Sequence, residues 1–223
     1  MQKFGWWSLA LIGSLMIGAT TPLLAQEAAL PLTRSGDNLV LQAMDHSLSM
    51  PLPGWLAPEQ LPAGEIGAAV PSRYDVEEDG VRLALYPEGE GQESWTQLYG
   101  ARIARNDGRH LASYRNQVVE TYGQRCKREV TGFFQLGEDN GEQLAPLGFV
   151  CGAFHDGLAG FAGQGEVMVM TFRKTDAGVA SVYQEWRGDA FDPADPASWP
   201  VATEVVQARA ELLQAQTQLA QDN

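Results

Sequence analysis

The chain has 223 residues, which fits one domain of about 100–200 residues with short flanks. It carries 15 Lys and Arg against 28 Asp and Glu, a net charge of −13, which excludes a generic binder of nucleic acid or of an anionic membrane surface. Its hydrophobic share of 44% suffices for a core that needs no metal and no dense disulfide network.

Residues 1–25 have the layout of a cleaved secretory signal peptide. A basic start, Met1-Gln2-Lys3, precedes an apolar run from Phe4 to Ile17, and Gly18 and Pro22 break it before Ala25. That run falls short of the roughly 18 apolar residues of a membrane span, and no cysteine follows it to accept lipid. The expected mature protein is therefore periplasmic or secreted, without stable membrane insertion. It keeps 14 basic and 28 acidic residues, a net charge of −14.

Residues 26–37 read as a loose arm, and residues 38–223 as a single domain. Asn38 to Met44 and His46 to Met50 read as strands, stopped by Pro51 and Pro53, since proline cannot donate to a ladder. Residues 56–80 are rich in Pro, Gly and Glu and predict an irregular loop. Val81 to Tyr86 and Ser94 to Ile103 alternate as strands about a Pro87 to Gln92 turn. Leu111, Tyr114, Val118 and Tyr122 have helical spacing, with Gly123 as the expected stop. Val130 to Leu136 and Gln143 to Phe154 read as strands. Glu166 to Lys174 and Val179 to Trp186 form the clearest hairpin, turned at Asp176-Ala177-Gly178. A closing helix is expected over residues 200–220, with Val201, Val205, Ala208, Leu212, Ala215 and Leu219 as its apolar stripe. The fold class is α+β, with helices packed on a mostly antiparallel sheet.

Cys126 and Cys151 are the only cysteines, and in an oxidising compartment they predict one disulfide. His155 close to Cys151 leaves a reactive thiol as the alternative. Seven basic residues cluster at Arg102, Arg105, Arg109, Arg115, Arg125, Lys127 and Arg128. With only Asp107 and Glu120 among them, residues 102–128 carry +5. The cluster reads either as a patch for an anionic partner or as simple neutralisation of acidic neighbours. Gly157, Gly160, Phe161, Gly163 and Gly165 mark a hairpin connection or a mobile contact loop. They lack the Lys-Ser/Thr of a phosphate cradle. Asp189, Asp192 and Asp195 lack calcium-loop spacing, and His46, His110 and His155 lack zinc-ligand spacing, so no metal or cofactor is expected. There is no Gly-x-Ser-x-Gly elbow.

Two segments resemble a known family. Leu48-Ser-Met-Pro-Leu-Pro-Gly-Trp55 is similar to the strand and Pro-x-Gly-Trp start of exported PsbP-like domains, which are α/β/α sandwiches named for a photosystem II accessory protein. Pro87 to Tyr99, with Glu93-Ser-Trp95-Thr, resembles the turn and Trp-Thr strand that follow in bacterial relatives. The family offers no shared catalytic residues to carry over. The resemblance implies a small exported accessory or binding domain without catalysis, and the partner expected from the basic cluster is a protein or an anionic envelope component. An exported hydrolase using carboxylates or Ser and His, and a carrier with a small-ligand pocket between sheet and helix, stand as alternatives.

Overall fold

The structure is a computed structural model that describes residues 30–222 apart from 62–63, 67–68, 140–142 and 159. The expected leader at 1–25 lies outside the described residues. In chain order the strands are β1 (Leu32–Ser35), β2 (Asn38–Ala43), β3 (His46–Pro51), β4 (Gly64–Glu65), β5 (Ser72–Val76), β6 (Gly80–Leu85) and β7 (Gln97–Arg105). Helix α1 (Leu111–Gly123) follows, then β8 (Thr131–Gln135), β9 (Leu147–Cys151), β10 (Gln164–Lys174), β11 (Gly178–Asp189), α2 (Thr203–Gln216) and β12 (Gln218–Gln221). The fold is α+β, with two antiparallel sheets among the described residues. A small sheet runs β12-β3-β2-β1-β4 and a large one runs β5-β6-β7-β11-β10-β9-β8.

The β10–β11 hairpin is the spine of the large sheet. It pairs without interruption from Gln164↔Asp189 to Lys174↔Val179. Its turn closes through Thr175, whose N–H donates to the Gly178 carbonyl at 2.8 Å and whose Oγ1 accepts from the Gly178 N–H at 2.9 Å. Side chains alternate between faces, so this register sorts the hairpin in two. Val167, Val169, Ala180, Val182 and Trp186 point towards the small sheet and α2. Met168, Met170, Phe172 and Tyr183 point towards α1.

The first of these faces is closed. Leu39, Leu41, Leu48 and Met50 of the small sheet, with Val206, Ala210 and Leu213 of α2, bury Val81, Leu83, Leu85, Tyr99 and Ile103 of the large one. Burial on this scale is the main source of stability, at about 25 cal/mol per Å² of apolar surface. Arg173 leaves the same face of β10 to donate to the carbonyls of Gln214 and Thr217. It thus places a cation at the C-terminal end of α2, where the helix dipole favours one. The second face is half covered. Helix α1 crosses β9 and β10, and leaves β11, β7, β6 and β5 open.

Four expectations change. The loose arm contains β1, whose Leu32 is buried opposite Leu41 in the ladder; the polar residues after it hid the strand. The loop at 56–80 contains β4 and β5, and β5 is an edge strand with so few inward residues that Val76 is 76% exposed. Gly123 does not stop α1: it is the last helical residue, and Gln124 caps in ordinary right-handed geometry. The closing helix begins at Thr203, and residues 218–221 form β12. Its buried face is Val206, Arg209, Ala210 and Leu213, whereas Val205 and Leu212 of the expected stripe are 49% and 36% exposed. Arg209 misled the reading, because a guanidinium occupies a core position. It donates to the Leu52 carbonyl at 2.7 Å and lies 4.7 Å over the Tyr99 ring.

The Cys126–Cys151 disulfide is present, with the Cα atoms 5.6 Å apart. It ties the chain just after α1 to β9. Among the described residues no helix is long and apolar enough to cross a membrane.

Candidate functional site

The open half of the large sheet and the flank of α1 enclose a groove of about 590 Å³, within the usual size range of small-molecule sites. Its floor is low because the residues facing α1 are small: Ala84, Ala104, Val179 and Ser181. Gly100 sits among them for a steric reason. A Cβ there would lie 2.1 Å from Cζ of Tyr183, so only glycine lets the Tyr183 ring lie flat over the neighbouring strand. One wall is α1, which presents Tyr114, Val118 and Tyr122 at intervals of one turn. The opposite end is closed by Trp95, which rests on Leu98, Ala84 and Tyr86. Trp95 lies on the turn before β7, and Glu90 fixes that turn by accepting from Thr96 N–H at 2.7 Å and Thr96 Oγ1 at 2.6 Å.

The inner end of the groove holds a cluster of charge. Register places Glu166 directly opposite Arg187, and Glu185 faces the same side two residues before Arg187. Arg187 donates to Glu166 Oε2 at 3.0 Å, both side chains being almost wholly buried. The Arg187 guanidinium is stacked between aromatic faces, 3.5 Å from the Trp95 ring and 4.3 Å from the Phe161 ring. The Tyr122 hydroxyl donates to Glu185. Arg125, just past α1, lies 5.5 Å from the rings of Tyr122 and Phe154 and 5.8 Å from Phe161. Among the described residues no carboxylate or carbonyl bonds its guanidinium, and it lines the groove.

Burial governs how these groups ionise. It raises the carboxyl of Glu185 to about 8, assisted by the nearby charge of Glu166 and opposed by the Tyr122 hydrogen bond, Arg125 and Arg187. Burial also raises Glu166, opposed by the charges of Arg125 and Arg187 and by the 3.0 Å hydrogen bond from Arg187, and burial lowers Arg187. For Arg125 burial works against the charge, but Glu166 and Glu185 outweigh it and raise the guanidinium. At neutral pH Glu185 thus holds its proton beside the guanidiniums of Arg125 and Arg187.

The basic residues singled out from the sequence do not gather in one place. Arg102 and Arg125 line the groove. Arg102 is bonded to Glu77 and Asp79 at 3.2 and 3.1 Å. Arg109 pairs with Asp107 at 2.6 Å, Arg115 with Asp139 at 2.9 Å and Lys127 with Asp156 at 2.9 Å. Arg105 and Arg128 are exposed. The glycine loop connects β9 to β10. Gly160 and Gly163 adopt positive φ, and Gly165 allows a close approach of the Cys151 and Gly152 carbonyls and the Phe191 ring. Gly157 is exposed. Phe161 is packed against Phe154 at 5.6 Å and forms part of the inner groove.

Sequence reasoning missed Glu166, Glu185 and Arg187. The signal was available, since each is a charged residue inside an otherwise apolar strand, on the same face as Met168, Met170 and Tyr183. No protein-family model matches the sequence, and no curated protein matches it.

Proposed function

We propose that this is an exported binding protein, not a catalyst, whose groove between α1 and the open half of the large sheet takes a small organic anion with an apolar body. The observation that carries the reading is Arg125, bonded to no acid among the described residues, at the inner end of an aromatic-walled groove. Aromatic faces and a floor of small side chains give an apolar ligand room and contact area. The export reading rests on residues 1–25 and fits the disulfide. The resemblance of Leu48–Trp55 and Pro87–Tyr99 to PsbP-like domains points the same way, to a non-catalytic protein.

A hydrolase using two carboxyls is the second reading, because Glu185 has the raised pKa of a general acid. It would need the other carboxylate presented to substrate. Glu166 is fully buried, bonded to Arg187 and absent from the groove lining.

The test is ligand-detected NMR of the oxidised protein with a panel of small aromatic and aliphatic compounds, charged and neutral. Saturable binding that disappears in Ser181→Leu, which fills the floor, is expected. No binder in the panel, or binding unchanged in Ser181→Leu, removes the groove from consideration.

A further inference from the structure

The groove is asymmetric in how its cations are spent. Near the open end, Arg73 is bonded to Asp75 at 2.6 Å, Arg82 to Glu77 at 2.9 Å and Arg102 to Glu77 and Asp79. These guanidiniums are already paired and give an incoming anion little to gain. At the inner end Arg187 is bonded to Glu166 through one Nη, with its Nε and Glu166 Oε1 buried and unpartnered among the described residues, and Arg125 has no acidic partner bonded to it among the described residues. The aromatic rings beneath Arg125 exclude water from one side of it, and this strengthens any charged hydrogen bond it makes.

Resting on the proposed binding function, we propose that the inner end of the groove receives the carboxylate of a monoanionic organic acid, anchored by Arg125, with the acid's apolar body lying over Tyr183 and the small floor residues. The geometry selects the class. Arg125 is a single guanidinium with no acid bonded to it among the described residues, which suits one carboxylate; a phosphate monoester would bring about two negative charges at neutral pH. A guanidinium offers a carboxylate two parallel donors, which adds geometric selection. Glu185 sets the working range. It is faced by Tyr122 and Arg125 from the α1 end, by Glu166 from β10, by Tyr183 and Arg187 from β11, and by Tyr86 from the end of β6. Protonated, it can donate to the ligand. Ionised, it repels the ligand's carboxylate.

The experiment is calorimetric titration of the oxidised full protein with 3-phenylpropionate, 3-phenylpropanamide and phenethyl phosphate at pH 6.5. The carboxylate is expected to bind at least tenfold more tightly than the amide, and the phosphate no more tightly than the carboxylate. Arg125→Gln is expected to bring carboxylate affinity down to that of the amide. Retained amide binding shows that this variant is folded. Arg105→Gln, on an exposed side chain, is expected to match wild type. Raising the pH to 9.5 is expected to weaken carboxylate binding at least tenfold and leave the amide unaffected. Equal binding of carboxylate and amide, a phosphate preference of tenfold or more, or carboxylate binding indifferent to pH each overturns this inference while leaving the groove as a binding site. If neither carboxylate nor amide binds a protein with native near-ultraviolet circular dichroism, the inference and the reading beneath it fall together.

Discussion

Alternate residues of β11 stand in opposite chemistry. Ala180, Val182 and Trp186 enter an apolar layer shared with the small sheet and α2, whereas Ser181, Tyr183, Glu185 and Arg187 face a groove where two carboxyls and two guanidiniums are held together. The strand is the same; the covering differs. Two elements lie over the first face, and a single helix placed off-centre over the second leaves about half of it exposed to a ligand. Stability rests on one face of the sheet and the proposed binding on the other, and substitutions at neighbouring positions should separate them.

The largest effect is expected at the buried pair. Arg187→Met takes from buried Glu166 the one guanidinium bonded to it and leaves only the nearby charge of Arg125, at a cost of up to about 3–5 kcal/mol. The double variant Glu166→Gln/Arg187→Met should recover much of that loss in urea unfolding. A double variant no more stable than Arg187→Met would show that the pair is not the origin of the loss. Next comes a comparison within β6. Leu83→Ala, on the closed face, should lower stability by about 2–5 kcal/mol through lost burial and a residual cavity. Arg82→Ala, one residue earlier on the groove face, loses only a half-exposed ion pair with Glu77 and should change stability by less than about 1 kcal/mol. Equal losses at the two positions would break the division between faces.

A third effect is visible in pH dependence. The folded chain keeps the Glu185 proton up to about pH 8, while an unfolded chain releases it near 4.5. Between those values the native state binds more protons than the unfolded one, so the contribution of Glu185 to stability falls as pH rises. Glu185→Gln retains an acceptor for Tyr122 and removes that slope. Its stability relative to wild type should therefore grow from pH 4 to pH 8 and level off above, as followed by thermal unfolding across the range. A constant difference would place the titration elsewhere. The smallest effect is expected at Val205→Lys on the exposed side of α2, within about 0.5 kcal/mol of wild type.

Much of the fold was legible where periodicity and turn chemistry agreed. Alternation in Glu166 to Lys174, the Asp176-Ala177-Gly178 turn and the spacing from Leu111 to Tyr122 led to β10, β11 and α1. What failed depended on tertiary context. An edge strand such as β5 has little burial to leave a pattern, and Arg209 conceals a core position because its partners are a carbonyl and a ring distant in sequence. The site was less legible still. The seven basic residues that cluster along the chain do not together form the site, and four of them are tied to acids. Yet a hairpin turned between Lys174 and Val179 dictates that Glu166 stands opposite Arg187. The inner end of the groove was therefore implied by register, given a turn.

The disulfide has a consequence beyond stability. Cys126 is the residue after Arg125, and Cys151 is the cross-strand neighbour of Glu166. The bond therefore joins the segment that carries Arg125 to the strand beside Glu166. Backbone hydrogen bonds close the same junction, from His155 N–H to the Arg125 carbonyl at 3.1 Å and from Lys127 N–H to the Ala153 carbonyl at 2.9 Å. Two halves of the charge cluster that are distant in sequence are thus held at a set spacing by a covalent link backed by main-chain pairing, and reduction would leave that spacing to the hydrogen bonds alone.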